Sequence, residues 1–490
     1  MFISSHAAPL TEAGLIVGQS CRRRLWLRAY EAPGPTAQQH LRRTHQLEMH
    51  QMVARHGPPG PDLMALPTAE ALRATQEALG REVEAIYGAA LTHQGRMVRI
   101  DRLRRVEAGW EVASARPVTR LKKRRRRTVQ TLALQKWTAV QTGVPITRCV
   151  VITLRTEPTA STPDAWLRET DLTHSVDRLL HARLPPLARQ LRAVLDGGLP
   201  PRRPLVATCR TCEFFQRCWP QVPEVSVLTL PWRTQHAVRD ALLEQGVVGL
   251  DQVEAPSDLS PRLQRYMQSW QSDAPVIDQG ALQAHLRTLA HPVSFLDFEA
   301  LRPAVPRYDG MRPWEPFPFQ YSLHTMDRTG AVAHTGYLHA TDTDPRPALA
   351  AKIIKDLGTQ GSIVVYSSFE AEVIEALMEA IPALQVPLAR LLPRLWDLHA
   401  VFADEAYLDV RFKGSTSLKR IAPVMAPRFG YHDLAVQDGT EAQLTYRALL
   451  NSQGGAHQEH YNALWAYCQR DTWAMVEVLR VLRAVGGMRV

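Results

Sequence analysis

Two carboxylates, Asp297 and Glu299, lie within the apolar segment SFLDFEA, which is typical of a buried strand. Side chains alternate along a strand, so both acids project from the same face. Adjacent like charges repel each other unless a cation lies between them or one of them stays protonated. The pair therefore predicts either a cation site or a carboxyl group with a raised pKa.

Three further residues have the types and positions that could complete such a site. Glu370 follows the apolar segment SIVVYSS and opens a predicted helix, where the helix dipole alone would also favour an acid. Tyr467 and Asp471 are four residues apart in the predicted helix NALWAYCQRDTWAMVEVLRVL and so share one face. Two divalent cations require three or four converging carboxylates, and oxygen ligands suit Mg²⁺ or Mn²⁺. The set predicts a two-metal site for in-line hydrolysis of a phosphodiester.

Residues 291–490 resemble the DnaQ-like exonucleases of the DEDD superfamily, which have an RNase H fold, in the variety with a Y-x-x-x-D motif. They are more closely similar to a bacterial family that joins such a domain to a RecB-like nuclease domain. The match is carried by FLDFEA, PRYDGMRPWEPFPFQYSLH, GSIVVYSSFE, GSTSLKRIAPVM and YCQRDTWAMV. Asp397, at the end of a third short strand in RLWDLHA, matches a supporting position rather than a catalytic one.

The resemblance implies that Asp297, Glu299 and Asp471 bind two Mg²⁺ or Mn²⁺ ions. It also implies that Glu370 occupies the acid position of the second motif and that Tyr467 orients the attacking water. One departure is visible, because that motif usually ends N-x-x-F-D, whereas YSSFE lacks the Asn and has a Glu in place of the Asp. This departure is the reason to keep a silent site as an alternative.

The overall charge favours an anionic partner. The net charge is +10 and the pI is about 9.5, which indicates nucleic acid first and an acidic membrane surface second. Seven of the eight residues in RLKKRRRR, at 120–127, are basic, although such a run is also typical of a solvated loop or helix end. The opening residues MFISSHAAPLTEAG do not resemble a signal peptide, and no apolar run is long enough to span a bilayer. We therefore expect a cytoplasmic protein that does not bind membranes.

Half of the cysteines lie within ten residues, CRTCEFFQRC. These are Cys209, Cys212 and Cys218. Disulfides are rare in the cytoplasm, so three close cysteines favour a metal site that needs a fourth ligand. Cys21, in QSCRRRLWL, is the best choice, since Cys149 lies in a predicted strand and Cys468 in the predicted terminal helix. Zinc and an iron–sulfur cluster both accept four thiolates, so the spacing leaves both open.

The first part of the chain resembles the RecB-like iron–sulfur nucleases, including the CRISPR-associated exonucleases and AddB-type proteins. The match extends over residues 10–220 and depends on QSCRRRLWL, VRIDRL and the three close cysteines. It implies a 4Fe-4S cluster that is bound by one cysteine near the start of the domain and three near its end. Such a cluster would have a structural role, with redox sensing as the alternative.

RecB-like nucleases of the PD-(D/E)XK superfamily cut with an Asp, a later E-x-K and a Gln on a helix. Asp101 in MVRIDRL and Gln135 in TLALQKW match the Asp and the Gln. Aligning GWEVASARPVT with the family places Ser114 at the Glu and Arg116 at the Lys. Glu111 is the other acid nearby, but its face depends on a strand register that the sequence leaves open. A guanidinium cannot share its proton as an ammonium does, so we expect this domain to bind nucleic acid without cutting it.

The segments together predict an α/β protein with three parts. Residues 1–222 form a RecB-like iron–sulfur domain, residues 223–290 a helical connector, and residues 291–490 a DnaQ-like domain with a mixed sheet flanked by helices. The expected function is metal-dependent 3′–5′ exonuclease action on single-stranded nucleic-acid ends, in DNA repair or defence. The RecB-like domain favours DNA as the substrate. The alternatives are an RNA-trimming exonuclease and a nucleic-acid-binding adaptor in which both sites are silent.

Overall fold

The computed structural model describes residues 8–31, 33–157, 163–231, 236–253 and 259–488. The chain divides into two compact units. Unit 1 comprises Met1–Pro204 and Pro303–Trp314, and unit 2 comprises Leu205–Arg302 and Glu315–Val490. Residues 223–290, for which the sequence predicts a separate connector, belong to unit 2. Both units are mixed α/β, as expected.

Unit 1 contains one five-stranded mixed sheet with helices packed against it. The helices are α1 (Glu12–Ser20), α2 (Arg22–Tyr30), α3 (Ala37–His56), α4 (Thr68–Leu79), α5 (Arg125–Gln141), α6 (Thr173–Ala182) and α7 (Leu184–Asp196). The strands are β1 (Ala85–His93), β2 (Arg96–Val106), β3 (Gly109–Ala115), β4 (Ile146–Leu154) and β5 (Leu167–Asp171). Their spatial order is β1-β2-β3-β4-β5, and β3 and β4 are the parallel pair. Helix α5 connects these two, as a parallel pair requires.

Unit 2 contains a second five-stranded sheet and a two-stranded one. Its helices are α8 (Phe215–Cys218), α9 (His236–Glu244), α10 (Pro261–Ser272), α11 (Gln279–Leu286), α12 (Arg346–Leu357), α13 (Phe369–Ala380), α14 (Gln385–Ala389), α15 (Leu398–Ala403), α16 (Leu418–Met425), α17 (Gly439–Leu450) and α18 (Gly454–Val485). Its strands are β6 (Val276–Ile277), β7 (Val293–Leu301), β8 (Phe317–Met326), β9 (Val332–Leu338), β10 (Ser362–Val365), β11 (Leu395–Asp397) and β12 (Tyr407–Leu408). Strands β6 and β12 pair with each other.

The larger sheet of unit 2 has the order β11-β10-β7-β8-β9. Strands β7, β8 and β9 are antiparallel, whereas β10 and β11 are parallel to β7, so the sheet is mixed. Helices cover both faces, which explains why β7 is apolar on both sides. Phe295 packs with residues of α18, and Leu296 and Phe298 pack with residues of α12 and α13. The central strand thus lies between two hydrophobic layers.

None of the described helices is both long enough and apolar enough to cross a membrane.

Candidate active site

Strand β7 places Asp297 and Glu299 in the middle of the larger sheet of unit 2. Both project from the face that α18 covers, because they alternate with Leu296 and Phe298, which pack on the opposite face. Only 6% of the surface of Glu299 is exposed. The ladder with β8 is regular up to Glu299 and shifts register directly after it. The two acids therefore end the regular part of the central strand.

Helix α18 supplies three side chains to the same place. Tyr467 is 2% exposed and Asp471 is 6% exposed. The hydroxyl of Tyr431, which precedes α17, donates a hydrogen bond of 2.6 Å to Asp471 Oδ1. Cys468 is fully buried, and its thiol donates to Asp297 Oδ2 at 3.5 Å. The Tyr467–Asp471 spacing predicted from the sequence thus brings both side chains to the acids of β7.

Glu370 is the second residue of α13 and is only 2% exposed. Its Oε2 atom is buried and has no hydrogen-bond partner among the described residues. A buried carboxylate oxygen without a partner is costly, and in native proteins it usually marks a bound ion or water. The side chain is close enough to raise the pKa of Glu299 through the repulsion of its charge.

The turn between β10 and α13 explains how Glu370 is positioned. Ser367 has a φ of 101°, which is strained for a residue other than glycine. Asp397 stabilises this turn, because its Oδ1 atom accepts hydrogen bonds from the backbone N–H of Ser367 at 2.8 Å and of His399 at 2.9 Å. Its carboxylate is thus used by backbone donors, in agreement with the supporting position that the sequence indicated. Tyr366 donates to the backbone oxygen of Thr416 at 2.6 Å and so ties the turn to the loop before α16.

Burial raises the pKa of every acid in this cluster, and neighbouring acids add to the shift for all but Asp471. Burial raises the pKa of Asp297 well above its ordinary value, and the charge of Asp471 adds to the shift. Burial and then the charge of Asp297 do the same to the pKa of Glu299 and to that of Glu370. Burial also raises the pKa of Asp471, although the ammonium group of Lys419 and the hydroxyl of Tyr431 oppose this shift. The pKa of each acid is thus shifted towards the protonated form, which is one of the two alternatives posed by SFLDFEA.

Like Tyr431, Lys419 is a site residue that sequence reasoning missed. It is the second residue of α16, and its ammonium group donates a hydrogen bond to Tyr467 Oη. The nitrogen lies 4.4 Å from the ring centroid of Tyr467 and 5.4 Å from that of Tyr431. A lysine in the first turn of a helix is disfavoured by the helix dipole. The lysine at this position in GSTSLKRIAP therefore indicated, within the sequence, that an acidic or aromatic partner is nearby.

The site opens into a cleft of about 690 Å³. Four of the five predicted site residues line it: Asp297, Glu299, Tyr467 and Asp471. Lys419 lines it as well, together with Arg302 and Phe369, whose guanidinium and ring centroid are 5.4 Å apart. The fifth predicted residue, Glu370, is buried. Its burial and the charge of Asp297 both raise its pKa.

One group of metal-binding side chains stands out among the described residues. Single ligand atoms of Asp297, Glu299 and Cys468 all lie within 4.8 Å of one another. The sulfur atoms of the three close cysteines are not gathered in this way in the described part of the chain. Cys21 belongs to unit 1, where its sulfur accepts a hydrogen bond from the Arg24 amide at 3.2 Å, whereas Cys209 to Cys218 belong to unit 2. The four-thiolate site stays a prediction.

Unit 1 brings the predicted PD-(D/E)XK positions together. Asp101 Oδ2 accepts a hydrogen bond from the Ala115 amide at 2.8 Å and lies 3.4 Å from the Ser114 hydroxyl. Burial raises the pKa of Asp101, and the charge of Arg116 opposes this shift. Ser114 and Arg116 therefore lie beside the aspartate.

A second acid near Asp101 was missed by the sequence analysis. Glu12, in the first turn of α1, accepts hydrogen bonds from the Arg99 amide at 3.0 Å and from Gln135 Nε2 at 3.2 Å. Burial raises its pKa to about 6, with a contribution from the charge of Asp101. Gln135 also donates to the backbone oxygen of Arg99 at 2.7 Å. Glu12 is separated from Gln135 by more than one hundred residues, so no local pattern predicts the pair.

Glu111 is excluded as a partner of Asp101 by its contacts. Its carboxylate is fully buried and is shared by three guanidinium groups, those of Arg102 and Arg104 at 2.8 Å and that of Arg148 at 3.1 Å. It pairs across the sheet with Arg104, three residues along β2 from Asp101 and thus on the opposite face. This register between β2 and β3 is the feature that the sequence could not supply.

The comparisons with known proteins match part of unit 2. A family model for a domain of unknown function, DUF2779, matches residues 294–417. This range contains the acids of β7 and α13 and ends before α16, so it does not reach Lys419 or the residues of α18. None of the curated proteins matches the chain. The similarity shown is thus to DUF2779, over less than half of the chain.

Proposed function

We propose that the protein is a metal-dependent 3′–5′ exonuclease that acts on single-stranded nucleic-acid ends, with DNA as the favoured substrate. The observation that carries this proposal is a cluster of four acids: Asp297, Glu299 and Asp471 line one cleft, and Glu370 is buried close enough to raise the pKa of Glu299. Grouping buried carboxylates is unfavourable unless cations or protons balance their charge. A fold that assembles four of them from three separate elements is best explained by divalent cations.

The residues present fit divalent cations. Asp297 and Glu299 have oxygen atoms close enough to share an ion, and Glu370 has a buried oxygen without a partner among the described residues. Carboxylate oxygens suit Mg²⁺ or Mn²⁺. Asp297, Glu299 and Asp471 would hold the ions. When bound, such ions lower the pKa of water and stabilise the charge that develops on a phosphate.

The protein's own side chains would complete the reaction. Tyr467 lies in the cleft beside Asp471, and the surrounding acids and its burial raise its pKa, so its phenol stays protonated and can hydrogen-bond a water molecule. Tyr431 fixes one oxygen of Asp471 by its 2.6 Å hydrogen bond. Fixed orientation of this kind lowers the barrier because little reorganisation remains at the moment of reaction.

The mouth of the cleft is suited to one end of a nucleic-acid strand. Phe369 offers an aromatic face on which a base can stack, and Arg302 beside it offers a cation for a phosphate. Glu372 pairs with Arg302 at 2.7 Å and balances part of that charge. The 3′–5′ direction and the preference for DNA are supported by the resemblance to the DnaQ-like and RecB-like families rather than by these contacts.

Unit 1 would bind nucleic acid without cutting it. Residues 122–127 of the basic run are exposed, and the run leads directly into α5. Its lysines and arginines would contact phosphates irrespective of base sequence. Asp101 has Ser114 and Arg116 beside it, and Glu12 is already engaged by two donors. We include the 4Fe-4S cluster, with Cys21, Cys209, Cys212 and Cys218 as its ligands, as part of the proposal.

The test is a nuclease assay on the full chain. Single-stranded DNA and RNA of matched sequence, labelled at the 5′ end, are incubated with Mg²⁺, Mn²⁺ or EDTA, alongside substrates whose 3′ end is blocked. We expect shortening from the 3′ end that needs a divalent ion and is lost in Asp471→Ala. Faster shortening of RNA would favour the RNA-trimming alternative. Binding without products under every condition would favour the adaptor, for which the Glu at position 370 is the motivating departure.

A further inference from the structure

Lys419 lines the cleft, and neither the sequence motifs nor the proposed chemistry assigns it a task. It is the second residue of α16, and it lies outside the range that matches the DUF2779 model. Its ammonium group donates a hydrogen bond to Tyr467 Oη. Its charge also lowers the pKa of Asp297, Glu299 and Asp471 against the effect of burial.

The contact with Tyr467 constrains the direction of the phenol's hydrogen bonds. A phenol oxygen has one proton to donate and can accept hydrogen bonds at its lone pairs. Because the ammonium group only donates, Tyr467 Oη must be the acceptor in this contact. The hydroxyl proton of Tyr467 is then directed away from Lys419, towards the side of the cleft that contains Asp471.

We propose that Lys419 is a positioning residue that fixes the Tyr467 hydroxyl as a donor towards the acid cluster. This inference rests on the proposed function, in which Tyr467 orients the attacking water. Without Lys419 the hydroxyl can rotate and donate in other directions, so the water would be held in a productive orientation for less of the time. The ammonium group also places a positive charge beside the metal ligands, which weakens the binding of a divalent cation there.

Two consequences distinguish this role from a purely structural one. In Lys419→Met the side chain keeps its length but loses its charge and its donor, so kcat should fall roughly 10- to 100-fold, the range expected for a hydrogen bond to a charged group. KM should change little, because the substrate is not the partner of this bond. In the absence of nucleic acid the same variant should bind Mn²⁺ more tightly, since a like charge has been removed.

The decisive experiment is a double-mutant cycle with Tyr467→Phe. If Lys419 acts through Tyr467, then Lys419→Met should lower kcat less than about threefold in the Tyr467→Phe background, because the group that it positions is already absent. Lys419→Arg, which retains a charged donor, should recover part of the loss. Equal losses in both backgrounds would refute the positioning role and leave Lys419 acting independently of Tyr467.

The matched control is Lys352→Met. Lys352 also lies over a tyrosine, 5.9 Å from the ring centroid of Tyr321, but it pairs with Asp356 at 2.6 Å, and neither residue lines the cleft. We expect this variant to leave kcat and Mn²⁺ affinity unchanged. A loss of kcat equal to that of Lys419→Met would show a general effect of removing lysines and would overturn the inference.

A spectroscopic measurement tests the contact between Lys419 and Tyr467 independently of the proposed function. In protein labelled with ¹³C at the tyrosine ζ carbon, the Tyr467 signal is identified by its loss in Tyr467→Phe. Lys419→Met should shift this signal, whereas Lys352→Met should not. A shifted signal in a parent protein that cuts neither DNA nor RNA would reject the nuclease proposal and retain the contact. An unshifted signal in an active enzyme would reject the contact and retain the nuclease.

Discussion

Replacing Asp297 by Asn should change stability in opposite directions in the absence and presence of divalent ions. Burial and neighbouring charges raise the pKa of Asp297, Glu299 and Glu370 in the folded protein. In EDTA the native state therefore keeps carboxyl protons up to a higher pH than the unfolded chain does. Stability must then decline as pH rises above the ordinary carboxyl pKa of about 4, by about 1.4 kcal/mol per pH unit for each retained proton.

The structure gives the size of the effect for this variant. Asn has nearly the shape of Asp, and its oxygen can still accept from the Cys468 thiol, whose distance to Asp297 Oδ2 is 3.5 Å. The variant removes the carboxyl group that either keeps a proton or exerts the largest charge effect on Glu299 and on Glu370. For each pH unit over which the parent keeps that proton, the variant recovers about 1.4 kcal/mol of stability. In Mn²⁺ at one hundred times the Kd, the parent gains about 2.7 kcal/mol, which the variant should lose.

The measurement must report on β7 itself, because the chain has two units and one global midpoint would mix their unfolding. Hydrogen exchange of β7 peptides, corrected for intrinsic rates, at pH 5 and pH 7.5 in EDTA and in Mn²⁺ meets this need. Asp327→Asn is the control, since Asp327 is exposed in a turn and its pKa is lowered by bonds to Thr329. Asp297→Asn should be more protected than the parent in EDTA at pH 7.5 and inactive in Mn²⁺. Less protection there, or parental nuclease activity, would refute this account of the acid cluster.

Five other variants test the remaining assignments. Asp101→Ala should retain nuclease activity, while Asp471→Ala should lose it. An Asp101→Ala protein that folds and binds DNA but does not cut it would show that unit 1 carries out the cleavage. Cys212→Ser should lose the iron and the brown colour of anaerobically purified parent protein, and stoichiometric zinc without iron in the parent would exclude the cluster. Neutralising residues 124–127 should weaken binding equally for nucleic acids of unrelated sequence and reduce the salt dependence of the affinity. An unchanged salt dependence would show that the run is solvated. Glu111→Gln should destabilise unit 1 by about 3 kcal/mol in chemical unfolding, because three guanidinium groups lose their shared anion; a loss below about 0.5 kcal/mol would show that the network contributes little.

Local periodicity accounts for the parts of the site that the sequence predicted. The alternation of SFLDFEA gives Asp297 and Glu299 a common face, and the four-residue spacing gives Tyr467 and Asp471 theirs. The mixed α/β class likewise follows from the order of apolar strands and helices. These properties depend on a few neighbouring residues, so they can be read directly from the chain.

What the sequence could not supply depends on contacts between distant residues. Lys419 meets Tyr467 across nearly fifty residues, and Glu12 meets Gln135 across more than one hundred. The face of Glu111 is set by the register between β2 and β3, in which Glu111 pairs with Arg104. Each of these depends on how elements pack, which periodicity within one element does not encode.

Helix α18 is one continuous element from Gly454 to Val485, and this continuity restricts how its length can vary. Its carboxyl end is clamped by α11, because Gln279 donates to the Val485 oxygen and Gln283 to the Gly486 oxygen, both at 3.1 Å. Each residue of an α-helix turns the chain by about 100°. One residue inserted or deleted between this clamp and Asp471 would rotate Asp471 away from the cleft, even though every side chain were retained. Lineages that preserve the acid cluster should therefore tolerate substitutions along this stretch far better than changes in its length.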